Sequence, residues 1–243
     1  MGDVVTPRGA ASSCMVVSCL TLRKAVGILS IALPLVLVVG KRLLDGPGIQ
    51  SSISAYYYTG MRDIFVGTLC ATGVLLFSYR GYDRIDRLVA NLAGVFVVGL
   101  ALFPTASATG GSTAQSIVGH IHLTFASAYF LAQAYFSLVL FTKTDPARQM
   151  TARKKRRNVV YTACGCTIVV CLALVLVDFA FLEHSAVQAL DPVFWLEVVA
   201  VFAFGISWLT KGEAILADVE APKSASQPGG RMSNKGIEQN ARR

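Results

Sequence analysis

Apolar residues occur along this chain in six long runs that charged residues rarely interrupt. The runs cover residues 25–40, 64–79, 88–103, 117–141, 159–181 and 193–210. A helix needs about 20 apolar residues to cross the hydrocarbon core of a bilayer, and interfacial side chains at its ends relax this requirement. Backbone amides cannot remain unpaired in lipid, so such runs are expected to be helical. The pattern predicts an all-α, polytopic transmembrane bundle of six helices.

The composition excludes an ordinary soluble domain. The chain is 54% hydrophobic and only 15% charged, whereas soluble domains carry about 25% charged residues. We expect three parts: a cytoplasmic N-terminal segment (residues 1–22), a six-helix membrane domain (23–212) and a cytoplasmic tail (213–243). The tail is rich in Ser, Gly, Lys, Gln and Asn, a composition that predicts disorder.

Basic residues fall almost entirely on one side of the predicted membrane. If the N-terminus is cytoplasmic, 19 of the 22 Lys and Arg residues lie inside and only Lys41, Arg42 and Arg62 lie outside. Five consecutive basic residues, 153–157, directly precede the fifth run. The positive-inside rule therefore predicts that both termini are cytoplasmic. The net charge of +8 is explained by this topology and by contact with anionic lipid, so nucleic-acid binding is not expected.

Two further patterns concern helix ends and helix packing. Aromatic residues near the ends of the runs are typical of membrane interfaces; these are Tyr79, Tyr82, Trp195 and Trp208. Small residues four positions apart allow helices to approach closely; these pairs are Gly67 with Ala71, Ala90 with Gly94, and Ala128 with Ala132.

The predicted outer face collects the ionisable groups that are least expected beside a membrane. All three histidines lie there, together with several carboxylates and a hydroxyl-rich first loop. Ionisable groups near membrane depth are costly, so a layer of them on one side indicates a functional site. The candidate ligand-binding residues are Ser54, Tyr57, Arg62, Asp63, Ser116, His120, His122, Asp178 and Glu197.

Structural roles remain open for several of these residues. Asp63 lies at the start of the second helix, where the helix dipole favours an anion. Asp191 before Pro192 has the pattern of an N-cap followed by proline. Glu183 and His184 fit a solvated loop. Asp178 and Glu197 lie further inside their helices and are less easily explained in this way.

We expect no cofactor, with bound zinc as the alternative. His and carboxylate groups are usual zinc ligands. The candidate metal ligands are His120, His122 and His184. Residues two positions apart on a helix are separated by about 200°. His120 and His122 can therefore meet at one ion only if the start of their helix is distorted.

The spacing of Ser116 and His120 resembles one element of the ceramidase and progestin-receptor-like family of membrane hydrolases. That family also carries a His-x-x-x-His pair late in the chain, and this sequence has no such pair. The resemblance implies a metal-dependent hydrolase acting on a lipid.

A longer stretch resembles a family of uncharacterised bacterial membrane proteins that carry a domain of unknown function. It runs through residues 52–67, SISAYYYTGMRDIFVG, and segments 101–105, 157–161 and 194–212 are also similar. Members of that family commonly have an acidic residue where this chain has Ala55, which weakens a catalytic role for the first loop. The resemblance implies a multi-pass protein of the bacterial inner membrane and implies no activity.

Two functional hypotheses follow from these observations. The first is a non-enzymatic protein that binds a lipid or small ligand at its extracytoplasmic rim, as a sensor or accessory subunit. The second is a metal-dependent membrane hydrolase that uses the outer-face histidines with Asp63, Asp178 or Glu197. Transport is not favoured, because no pair of broken helices or internal repeat is apparent. The outer carboxylates favour a zwitterionic or neutral ligand, and the oligomeric state is not indicated.

Overall fold

The regular secondary structure of the described residues is entirely helical. The computed structural model describes residues 8–81, 83–106, 112–144, 151–182 and 185–216, with side chains from residue 19 onward. Within these ranges the long helices are α1 (Arg8–Leu44), α2 (Arg62–Phe77), α3 (Arg84–Leu102), α4 (Thr113–Tyr135), α5 (Ala152–Val177) and α6 (Pro192–Lys211). Each predicted apolar run lies largely within one of these helices, so the all-helical prediction is confirmed. The predicted tail lies outside the described residues from 217 onward.

Five of the described helices are long and apolar enough to cross a membrane. They are α1, α3, α4, α5 and α6. Two of them are lengthened by π-helical turns, α4 at Phe136–Leu140 and α5 at Asp178–Leu182. The exception is α2, which has only 16 residues. The chain is therefore a membrane protein with at least these five candidate spans.

The helices pack in chain order into a closed ring. Each helix contacts the next along the chain, and α1 closes the ring by packing against α6. Glycine makes this closure possible. A Cβ added at Gly205 of α6 would lie 2.6 Å from Cγ1 of Ile31 and 3.0 Å from the carbonyl oxygen of Gly27 on α1. Small residues at such a crossing let two backbones approach within direct contact.

The predicted small-residue contacts are only partly present. At Gly94 of α3, an added Cβ would lie 2.9 Å from the Phe77 ring of α2, and Ala90 is fully buried. Gly67, in contrast, has nothing within 4 Å of its hypothetical Cβ. The prediction of a close helix contact at Gly67 is therefore wrong, because that position faces away from the neighbouring helices.

Aromatic side chains fill the interior of the ring. Trp208 is fully buried, and its ring centroid lies 5.3 Å from those of Tyr79, Phe136 and Phe141. Trp208 and Tyr79 thus pack inside the bundle near the ends of α6 and α2, and neither lies on its lipid-facing surface. Trp195 is exposed on the bundle surface, as an interfacial residue would be. The remaining candidate, Tyr82, lies outside the described residues.

The connections between helices gather at two opposite ends of the bundle. At one end, here called the loop end, the amide of Ile53 donates to Glu197 at the start of α6. At the other, here called the basic end, Lys143 pairs with Asp83 and Asp86 at 2.8 Å each. The hydrogen bond from Lys143 holds the pKa of Asp83 below its usual range. The α1–α2 connection lies at the loop end and the α2–α3 connection at the basic end, so α2 runs from one end of the bundle to the other although it is short.

Candidate functional site

The α1–α2 connection folds across the loop end. This segment, residues 45–61, is called the cap segment below. The ammonium group of Lys41 donates to three successive carbonyls, those of residues 46–48, at 2.9–3.3 Å. The carboxylate of Asp45 accepts the amide of Gly60 at 2.8 Å. These bonds close the cap segment into a compact loop.

A short 3₁₀ helix, Ser54–Tyr58, fastens the cap segment to the neighbouring elements. The ring of Tyr56 is buried against Phe194 of α6, with 6.3 Å between ring centroids. Burial raises the pKa of the Tyr56 phenol, so this group stays neutral in its apolar surroundings. The hydroxyl of Tyr58 donates to the carbonyl of Thr105 at 2.6 Å, which links the segment to the α3–α4 connection.

A cavity of about 370 Å³ lies beneath the cap segment, between α4, α5 and α6. This volume is within the range of small-molecule sites. Apolar side chains of the three helices form its walls, among them Leu123, Phe130, Ile168, Leu176, Phe179 and Leu196. Its polar lining consists of Ser52, Ser54, Thr105, Ser116, His120, His122, Ser127 and Glu197. Five of the nine predicted binding residues therefore meet in one cavity.

Glu197 links the cavity to the cap segment. One carboxylate oxygen accepts the amide of Ile53 at 2.6 Å, and the amide of Ser54 is also directed at this carboxylate. These amides begin the 3₁₀ helix and have no partner within it, so the carboxylate acts as its N-terminal cap. Glu197 thus anchors the roof of the cavity and also contributes to its lining.

His122 of α4 caps the C-terminal end of α3. Its imidazole is buried, and Nδ1 lies 2.6 Å from the carbonyl oxygen of Phe103, with the carbonyl of Leu100 also acting on the ring. A carbonyl oxygen only accepts hydrogen bonds, so Nδ1 carries the proton. The imidazole therefore satisfies carbonyls left open at the end of α3, which is a structural role.

His120 is exposed on the first turns of α4. Its Nδ1 lies 2.7 Å from the carbonyl oxygen of Ser116, one turn earlier. The same argument puts the proton on Nδ1, which leaves Nε2 of the neutral ring as a hydrogen-bond acceptor. Of the two cavity histidines, His120 is thus the better placed to interact with a ligand.

Three predicted residues form a separate group on the other side of the loop end. Tyr57, Arg62 and Asp63 line an open groove between α2 and α3. The guanidinium of Arg62 lies 5.9 Å from the Tyr57 ring centroid and 3.4 Å from the Asp63 carboxylate. Both charged side chains are mostly exposed. The prediction of one outer-face cluster is therefore corrected to a cavity and a distinct surface group.

Asp178 has a structural role. Its side chain is 4% exposed, and both carboxylate oxygens accept from the side-chain amide of Gln188 at 3.0 Å. The bond ties the end of α5 to the short 3₁₀ helix Ala186–Leu190. Asp178 does not line the cavity, so the structure does not group it with the five candidates that do.

The geometry of the described residues does not assemble a metal site. No three His, Cys, Asp or Glu side chains among them are close enough together to hold a metal ion. His120 and His122 are each bonded through Nδ1 to a different backbone carbonyl. The third candidate ligand, His184, and its neighbour Glu183 lie outside the described residues.

Several cavity residues are not apparent from the sequence. Ser127 lies in the middle of an apolar run, and Ser52 and Thr105 lie in two different connections, so only the folded chain brings them together. In the sequence, nothing distinguishes the apolar residues of the cavity walls from the apolar residues that face lipid. The one available hint is the hydroxyl-rich sequence of the first loop.

Comparison of the chain with protein-family models, with curated proteins and with solved structures finds no match.

Proposed function

We propose that this chain is a multi-pass protein of a bacterial inner membrane that binds a lipid or lipid-like small ligand beneath the cap segment. Its role would be that of a sensor or an accessory subunit. The cavity between α4, α5 and α6 carries this proposal, because it combines apolar helix walls with a polar rim near one end of the bundle. A lipid has the same division between an apolar tail and a polar head group.

Access from the bilayer supports a lipid in particular. Two residues that line the cavity, Leu176 and Phe179 of α5, are 54% and 50% exposed. The cavity is therefore open at the bundle surface, where these side chains would meet hydrocarbon. An acyl chain could enter by this route without crossing water.

The polar lining favours a neutral or zwitterionic head group. In the described part of the cavity, Glu197 is the one carboxylate and no Lys or Arg side chain takes part. A strongly anionic ligand would find no cation in the described lining to pair with. Hydroxyl groups of Ser54, Ser116 and Ser127 can donate to or accept from a neutral head group.

Blocking the cavity tests the proposal. Ala126 of α4 lines the cavity and is partly buried, so Ala126→Trp would fill it with an indole ring. We expect this variant to lose co-purifying lipid and to reduce labelling by a photoreactive phosphatidylethanolamine about tenfold. Native mass spectrometry and the labelling yield measure both effects.

The matched control is Ala163→Trp on α5, an exposed position that does not line the cavity. It should retain lipid and labelling as the unmodified chain does. Equal labelling of both variants, at wild-type level, would show that lipid does not bind in this cavity.

The described geometry does not favour the hydrolase alternative. The backbone bonds of His122 and Glu197 give both residues structural roles, and no carboxylate among the described residues orients His120. The general base of a hydrolase is usually oriented by such a partner.

A further inference from the structure

Four basic side chains from three helices converge at the basic end of the bundle. They are Arg23 of α1, Lys154 and Arg157 of α5, and Lys211 of α6, and are called the basic cluster below. Lys211 interacts electrostatically with each of the other three, and Lys154 interacts with Arg157. All four are partly buried, and the Arg157 side chain is only 11% exposed. Positive charge is thus concentrated where water screens it incompletely.

Aromatic rings hold three of these cations in place. The guanidinium of Arg23 lies 5.5 Å from the Tyr79 ring centroid, and the Lys154 ammonium lies 5.8 Å from that of Tyr161. The Lys211 ammonium lies 5.3 Å from the Phe141 ring centroid. Cation–π contacts stabilise the positions of these groups.

Acidic groups offset this charge only in part. Among the described residues, Glu213 lies 3.5 Å from Arg157, and Asp86 attracts Lys211. The Asp86 carboxylate is shared, because it also accepts from Lys143 at 2.8 Å. Among the described residues, four basic side chains thus face two carboxylates here, and a bound anion would relieve the repulsion between the basic groups.

The start of α5 adds to the same effect. Its first two turns contain the five consecutive basic residues 153–157, and its first turn contains no acidic residue. The N-terminal end of a helix is itself positive, so basic residues there are unfavourable. Thr151 caps the amide of Lys154, so the positive end of the α5 dipole lies beside the basic cluster.

We propose that the basic cluster binds a phosphate group, carried either by the head group of an anionic phospholipid or by a free phosphate compound. Arginine offers planar, two-point contacts to phosphate, and lysine offers a compact charge. Lys154, Arg157 and Lys211 lie in the end turns of α5 and α6, and Arg23 lies beside them in α1. The ends of membrane-spanning helices are at the depth of lipid head groups. This site lies at the opposite end from the cavity and does not depend on it.

Two neighbouring residues provide a control. This control distinguishes a defined site from nonspecific attraction between the basic start of α5 and anionic lipid. Lys155 and Arg156 lie between Lys154 and Arg157 in sequence but are exposed. The variants Lys154→Gln/Arg157→Gln and Lys155→Gln/Arg156→Gln therefore remove the same charge from the same two helical turns. Only the first pair belongs to the basic cluster.

Thermal unfolding of the full chain tests the site. The protein is placed in vesicles of phosphatidylcholine with or without added phosphatidylglycerol, and separately in neutral detergent with or without inorganic phosphate. We expect an anion-dependent rise in the unfolding temperature for the wild type and for Lys155→Gln/Arg156→Gln. For Lys154→Gln/Arg157→Gln, the anion concentration that gives half of the rise should increase about tenfold or more.

The two probes identify the source of the phosphate. A rise with phosphatidylglycerol alone indicates a lipid head group, whereas a rise with inorganic phosphate as well indicates a free phosphate compound. No rise with either probe would overturn the proposal. An equal loss in both double variants would also overturn it, since charge alone would then explain the effect.

A second variant covers the case in which Lys154→Gln/Arg157→Gln does not fold. Lys211→Met keeps the apolar stem of the side chain and removes its charge. It should lose most of the anion-dependent rise while its unfolding temperature without anion is unchanged or higher. A lower unfolding temperature together with an intact anion-dependent rise would show that Lys211 is only structural.

Discussion

Glu197 shows how one residue can serve both structure and a ligand site. Its carboxylate holds the first amides of the cap segment, and its side chain also lines the cavity beneath that segment. The same bond that stabilises the roof of the cavity therefore also holds this carboxyl group in position in the cavity lining. A change at Glu197 should affect the cap segment first.

We expect Glu197→Gln to loosen the cap segment without unfolding the bundle. The amide side chain keeps an acceptor for Ile53 but loses the charge. Hydrogen bonds to charged acceptors contribute about 1.5–3 kcal/mol and neutral ones about 0.5–1.5 kcal/mol. A loss of about 1 kcal/mol corresponds to roughly fivefold faster hydrogen exchange at the Ile53 amide.

Glu213→Gln, at the basic end, is the control for this measurement. It should leave exchange in residues 45–61 unchanged. If Glu197→Gln also left exchange of Ile53 unchanged, the carboxylate would not be what anchors the cap segment.

Association of the helices into the bundle depends on a small number of close contacts. The ring closes where Gly27 of α1 meets Gly205 of α6, and neither position tolerates a Cβ without displacing its neighbour. Transmembrane helices gain no hydrophobic free energy from burial against each other in lipid, so close packing has to supply much of their association. The α1–α6 contact is therefore expected to be sensitive to small additions of volume.

Gly205→Ala and Gly67→Ala provide a matched comparison, because both add one methyl group inside a helix. At Gly205 the methyl would lie 2.6 Å from Ile31, and we expect a loss of about 1–3 kcal/mol in stability. At Gly67 it would meet nothing within 4 Å, and the better helix propensity of Ala should leave stability unchanged or raise it by up to about 1 kcal/mol. Thermal unfolding in one detergent measures both variants, and equal effects would contradict the proposed role of the α1–α6 contact.

The whole molecule has a polar cap at one end and concentrated positive charge at the other. The proposed orientation puts the basic end in the cytoplasm, as the positive-inside rule requires. The number of spans depends on α2, whose 16 residues rise about 24 Å against a hydrocarbon core of about 30 Å. A short helix can still cross if the bilayer thins locally or flanking residues reach the interface.

Reporter fusions test this orientation and the short helix together. A reporter that is active only in the periplasm should be active when fused after Gly46 and inactive when fused after Met150. The second fusion contains α1 to α4, so it ends in the cytoplasm only if α2 spans the membrane. Activity after Met150 would overturn the six-span topology, and expression levels of both fusions serve as the control.

The sequence by itself was sufficient for the helices. Long apolar runs must be helical in lipid because their backbone groups have no other partners. The runs mark each helix, although α1 begins at Arg8 and α5 at Ala152, well before their apolar runs. It also located the region of the cavity, since Ser54, Ser116, His120, His122 and Glu197 were all chosen as candidates and all line it. Periodicity and composition are local properties, so they can be determined without knowing the fold.

Only the tertiary structure decided which polar groups meet and what each one does. It pairs Asp178 with Gln188, His122 with the end of α3 and Glu197 with the cap segment. Each pair belongs to two different elements, so the local pattern of neither element predicts it. It also turned Trp208 inward, since the rotation of a helix depends on its neighbours and not on its own apolar residues. The same holds at the basic end. The run 153–157, which predicts topology from the sequence, contributes Lys154 and Arg157 to the basic cluster, where side chains of three helices meet.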